Sequence, residues 1–250
     1  MSGHSKWATI KHKKGAADAA RGKIFNKLAR QVEVAAKGGG DPEMNASLRT
    51  AVQKAKAASM PNDAIERAIK RGTGEGSEGV IYETIMYEGY APGGVALLID
   101  VLTDNRNRIS ADVRQVFSKL GGSMAEPGAV GWQFSRRGVI VTVDGVGEDD
   151  VMLAALDAGA DDIIAQGQAW RIMTDPSHVY DVQAKLEEAG IETVSADSPM
   201  VAENLIEVTE LKDAKALLRI MEALDDNDDV QDVFSNFDIS DELMETAAAE

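Results

Sequence analysis

The side chains in this sequence best suited to a definite chemistry are the cations near its start. Lys6, Lys11, Lys13, Lys14, Arg21, Lys23, Lys27 and Arg30 fall within the first thirty residues, against a single acid, Asp18. Such a concentration neutralises phosphates, so the segment reads as a contact for a polyanion. Trp7 lies among the first lysines, and its ring either stacks on a base or a guanidinium or packs as a hydrophobic plug. A second group, Asp104-Asn105-Arg106-Asn107-Arg108, follows a predicted strand and precedes a predicted helix. There Arg106 and Arg108 either grip a ligand at the strand end or belong to a helix-capping turn with solvated arginines.

Other chemistries find little support. The chain has no Cys, and His4 and His12 stand among cations, so no metal site is expected. His178 stands alone near a helix start and reads as a surface or capping residue. The acidic run Asp225-Asp226-Asn227-Asp228-Asp229 offers oxygens at alternate positions, but an EF-hand needs Gly where Val230 stands and Glu where Asn236 stands. Gly72-Thr73-Gly74-Glu75-Gly76 follows a helix and lacks the Lys-Ser/Thr ending of a phosphate loop, so it reads as a linker. Neither an activated nucleophile nor a cofactor loop is legible, and the expectation is a non-enzymatic protein with no cofactor.

These side chains are carried by a strongly divided chain. Its 250 residues have a formal net charge of -16, yet residues 1–72 hold 15 Lys and Arg against 6 Asp and Glu, while the remainder holds 11 against 36. One end is therefore +9 and the rest -25. A basic module for an anionic partner, joined to an acidic body, explains the division, and so does internal pairing of the two. The acidic part could also recruit a basic protein. With 44% apolar and 27% charged residues the chain should fold, and no apolar run approaches a membrane span, so a cytoplasmic location and no membrane partner are expected.

The elements that must position these residues follow from periodicity. Ile24, Phe25, Leu28 and Val32 recur at helical spacing from Asp18 to about Lys37, with the cations mostly off that stripe. Gly38-Gly39-Gly40 ends this helix; a second reaches about Ser59, and Pro61-Asn62-Asp63 opens a short third. After Gly79 the pattern turns to strands, 80–87 and 95–102, around a turn at Gly89–Gly94, then a helix at 109–120. Residues 137–196 read strand, helix, strand, strand, helix, strand, the ferredoxin-like βαββαβ order. The end supplies strand 205–209, helix 210–224 and strand 230–237, too little to stand alone. The predicted class is α+β and multidomain: a basic arm and three-helix bundle over 1–78, a discontinuous α+β domain over 79–131 and 200–250, and a ferredoxin-like domain inserted at 132–199.

The stretches GHSKWATIKHKK, MPNDAIERAIKRGTG, YEGYAPGG, TDNRNR and DDVQDVFSNFDI, with Arg21-Gly22-Lys23, Phe25 and Lys27-Leu28, resemble the YebC/PmpR family over nearly the whole chain. Ala91 departs from a loop glycine usual in that family and Thr9 from a common Asn; with Ala at 91, a positive φ there is not expected. The resemblance implies three domains around a cavity or cleft. It also implies regulation of gene expression through nucleic acid, either as a DNA-binding transcriptional regulator or as a ribosome-associated translation factor that contacts ribosomal RNA and relieves stalling at proline-rich stretches. A mitochondrial relative activates translation of a cytochrome oxidase subunit. On this reading Lys6, Lys11, Lys13, Lys14, Arg21, Lys23 and Lys27 become the leading nucleic-acid contacts, with Arg106 and Arg108 secondary.

Overall fold

The computed structural model describes residues 17–74 and 81–248, with side chains from Gly22 onward. Three helices open it: α1 (Ala17–Ala36), α2 (Ala46–Ala57) and α3 (Asn62–Gly72). They bury Val32, Ala36, Leu48, Ala55, Ile65 and Ala68, with Phe25 and Leu28 packed alongside. Ile24, on the margin of that stripe, is instead 45% exposed. Asn45 joins two helices: its side-chain oxygen accepts from the Leu48 amide at the start of α2, and its Nδ2 donates to the Ala35 and Gly39 carbonyls at the end of α1. Gly72 does more than end α3. A Cβ there would overlap the Glu33 carbonyl oxygen and the Ala36 side chain, so glycine sets the close approach of α3 to α1.

The chain continues as β1 (Glu83–Tyr90), β2 (Ala96–Thr103), α4 (Arg106–Leu120) and β3 (Ser123–Ala125). β1 runs further than its sequence suggests, through Gly89, because Gly89 and Tyr90 pair with Leu97 and Ala96 of β2 and with Met124 and Ser123 of β3; the glycine leaves the space that Phe117 fills. The turn that follows places Gly93 and Gly94 at φ near 79° and 78°, while Ala91 stays at -88°. Helix α4 begins three residues before the expected Ile109, because Asn105 caps it by accepting from the Arg108 amide at 3.1 Å.

Residues 132–205 form a separate compact unit. It contains β4 (Phe134–Arg136), β5 (Gly138–Thr142), α5 (Glu148–Ala158), β6 (Asp162–Gln166), β7 (Ala169–Thr174), α6 (Val179–Glu188), β8 (Thr193–Asp197) and β9 (Met200–Ala202). The sheet order β6-β7-β5-β8, antiparallel throughout, is the ferredoxin-like arrangement; α5 and α6 pack Val151, Ala155, Val182 and Leu186 against Ile140 and Ile172. The short strands β4 and β9 pair with each other.

The chain ends with β10 (Ile206–Glu207), α7 (Leu211–Asp225), β11 (Val230–Ser235), β12 (Phe237–Asp238) and α8 (Asp241–Ala248). Strand β11 pairs antiparallel with β2, giving the order β11-β2-β1-β3. Central β2 is buried along almost its whole length, and its Leu97, Ile99 and Val101 join Val113, Phe117, Leu217 and Ile220 of α4 and α7 in the largest core. The short strands β3, β4 and β9 are not legible as sequence patterns, since three residues define no period, and helix α8 is a further element that the sequence reading does not include. Among the described residues no helix is long and apolar enough to cross a membrane.

Candidate nucleic-acid interface

Helical geometry gathers Lys23, Lys27 and Arg30, spaced four and three residues apart, on one face of α1. That face meets the acidic turn after α7. Lys23 Nζ lies 2.9 Å from Asp226 Oδ1. Lys27 Nζ donates to the Asp225 carbonyl at 2.7 Å and approaches its carboxylate at 3.4 Å. Because that carbonyl closes α7, the lysine also meets the negative end of the helix dipole. Arg30 donates to the Asp228 carbonyl at 3.0 Å and to Asp229 Oδ1 at 2.7 Å, and Gln31 bonds Gln231 at 3.1 Å. The hydrogen bond to the Asp226 carboxylate holds the Lys23 ammonium above the usual lysine value against the lowering effect of burial, with smaller contributions from the charges of Asp226, Asp228 and Asp225.

Asp229 is the centre of this contact. Its side chain is buried and accepts from Arg30, from Thr103 Oγ1 at 2.8 Å and from Arg108 at 2.6 Å. Burial pushes this carboxyl up, but hydrogen bonds from Arg108, Thr103 and Arg30 outweigh it and hold the group below the ordinary aspartate range. Arg108 also pairs with Asp104 at 2.7 Å; Asp229 first and Asp104 second raise its guanidinium above the usual arginine value. Tyr82 receives Arg30 and Lys37 over its ring, each 5.9 Å from the centroid. The acidic run that fails as a calcium loop thus accepts side-chain cations of this chain.

The expected site residues divide accordingly. Lys23, Lys27, Arg30 and Arg108 come together around Asp225–Asp229. Arg106 stands apart, exposed at the start of α4 with no ion pair among the described residues. The 104–108 segment forms the capping turn. Lys6, Trp7, Lys11, Lys13 and Lys14, with His4 and His12, lie outside the described residues, as does the side chain of Arg21. His178 is exposed at the start of α6 and makes no side-chain capping bond.

Sequence reading misses Glu88. Buried on β1, its carboxylate accepts from the backbone amides of Gly128, Val130 and Gly131 at 2.7, 2.5 and 2.9 Å. Burial raises this carboxyl and the three amides lower it, with the net shift downward. One acidic residue in an alternating strand carries no signal of three distant amides. A glutamine at 88 would set an NH₂ against these donors. Glu88→Gln is therefore expected to cost about 2 kcal/mol, measured by urea unfolding, with faster proteolysis in 126–131.

The described fold and site define a class: a multidomain α+β protein whose basic helical head docks on an acidic turn of its body. The chain belongs to the TACO1/YebC family. The model of the TACO1/YebC protein N-terminal domain matches residues 5–75, and that of the TACO1/YebC second and third domain matches residues 82–237. A relative from Halothermothrix orenii, named "Probable transcriptional regulatory protein", is 54% identical over 254 residues and covers 100% of both chains. A relative of the same name from Rubrobacter xylanophilus is 55% identical over 250 residues, covering 99% of this chain and 100% of its own. The crystal structure of a conserved hypothetical protein from Aquifex aeolicus superposes with a TM-score of 0.83 at 41% identity, over 94% of this chain and 98% of that one.

Proposed function

We propose that this protein is a non-enzymatic regulator of gene expression in the cytoplasm that binds nucleic acid through its basic N-terminal segment. The observation that carries this reading is the division of charge, +9 over residues 1–72 against -25 over the rest. Of the eight cations in residues 1–30, Lys23, Lys27 and Arg30 are matched by the acidic turn. That leaves Lys6, Lys11, Lys13, Lys14 and Arg21 as the residues on which phosphate contact rests. The names of the relatives support a transcriptional role, and on that reading the target is DNA.

Counterion release supplies the test. Each phosphate neutralised steepens the fall of log affinity with log salt by about 0.9 on duplex DNA and about 0.7 on a single strand. Replacing Lys11, Lys13 and Lys14 together with Ala is expected to flatten that slope by about two to three units. An unchanged slope removes this arm from the interface.

A second reading, a ribosome-associated factor contacting ribosomal RNA, is favoured by the -25 charge of the chain from residue 73 on, which opposes tracking along an extended duplex. Ultraviolet crosslinking in cells, followed by sequencing of the attached nucleic acid, separates the two. Discrete promoter positions identify a DNA regulator, one cluster in ribosomal RNA a translation factor, and no enrichment refutes both.

A further inference from the structure

The ferredoxin-like unit carries a surface that the nucleic-acid reading does not use. Helix α5 buries Val151, Ala155 and Ala158 against its own sheet. On its opposite side Met152, Leu153 and Leu156 are 44, 67 and 66% exposed. Positions 152 and 156 are four apart and 153 and 156 three apart, so the side chains adjoin in one apolar stripe. On the helical wheel Glu148 flanks one margin, Asp150 and Asp157 the other, and Asp149 closes the N-terminal end. All four acids are exposed, and none is in an ion pair among the described residues.

Helix propensity does not account for this choice, since Ala, Glu or Lys would serve an exposed helix as well as Leu or Met. Adjoining exposed apolar side chains within a polar rim are the mark of an association surface. The rim decides the occupant. Residues 132–205 hold 14 Asp and Glu against 4 Lys and Arg, a field that repels nucleic acid and anionic lipid and attracts cations. We propose that this face of α5 binds a helical segment of a partner protein, with apolar residues over Met152, Leu153 and Leu156 and Lys or Arg against Glu148, Asp149, Asp150 and Asp157. The inference is independent of what the N-terminal segment binds, and loss of nucleic-acid binding leaves it standing.

The test uses the full chain. A synthetic helical peptide with leucines on one face and lysines on both flanks is titrated against protein labelled at its methionine methyl groups. The Met152 methyl resonance is expected to shift, with affinity falling at least tenfold in Leu153→Ser/Leu156→Ser. That variant changes only exposed positions, and circular dichroism checks its fold. Equal affinity for both proteins, or no shift at Met152, overturns the proposal. In cells, a photo-crosslinking amino acid at position 152 is expected to join one protein through a segment of this composition. Adducts to nucleic acid or to a second copy of this chain, or no adduct, overturn it as well.

Discussion

Replacing Asp229 with alanine is expected to destabilise the protein by about 3 kcal/mol and to loosen α1 from the body. Removing one partner of a buried charge group costs about 3 to 5 kcal/mol, because the remaining partners stay desolvated and unpaired. Here Thr103 is fully buried, whereas the Arg30 and Arg108 side chains are 26 and 47% exposed and regain some water, which places the effect at the lower end. The Lys23–Asp226 pair is the contrast. Both of its side chains are substantially exposed, so Asp226→Ala should cost less than about 1 kcal/mol. Thermal unfolding measures both variants, and amide exchange along α1 reports the loosening. Equal effects at 226 and 229 would refute Asp229 as the centre.

The same group predicts a pH dependence. The native Asp229 carboxyl lies below its ordinary value of 3.8, so the folded state holds its proton less tightly than the unfolded chain. Its contribution is complete well above pH 3.8 and is lost as pH falls through the depressed native value. Asp229→Ala should therefore narrow the stability gap between neutral and acid solution.

Phe117→Ala is expected to cost about 3 to 5 kcal/mol, the range for emptying a buried aromatic site. Phe117 is 1% exposed, at the centre of the largest core. Its ring occupies a slot left by two glycines: a Cβ at Gly89 would lie 2.5 Å from Phe117 Cζ, and one at Gly122 would lie 2.6 Å from Cδ1. Little else can close over the gap, since Ser123 and Tyr90 present backbone carbonyls at 2.8 Å from those same points. Gly89→Ala alone should also destabilise, through the ring and the Ser123 carbonyl. In Phe117→Ala/Gly89→Ala the ring clash is gone, so the double variant should lose less than the two single losses combined. Urea unfolding of the four proteins decides this, and strict additivity would refute the slot.

The legible parts of this fold are those with a local period. Val32, Leu48 and Ile65 mark helices because their neighbours repeat every three or four residues. The βαββαβ order of the ferredoxin-like unit follows from alternating strand and helix lengths. Gly89 misleads and Gly72, which does end α3, is only half read, for a common reason. Glycine signals a turn or a stop in one dimension, yet here it admits Phe117 in one case and the Glu33 backbone in the other. Asn105 is legible as a cap, but not the partnership of Arg108 with an aspartate 121 residues later.

The candidate site divides in the same way. By itself the sequence determined the charge division, the cationic face of α1 and the motifs of the TACO1/YebC family, because charge and helical spacing are properties of neighbouring residues. Only the tertiary structure decided which of those cations are matched. Lys23 meets Asp226 and Arg30 meets Asp229 across 203 and 199 residues of chain. Contacts at that separation arise where β11 pairs with β2 and carries the acidic turn to α1, and no local pattern records which distant strand a segment will join.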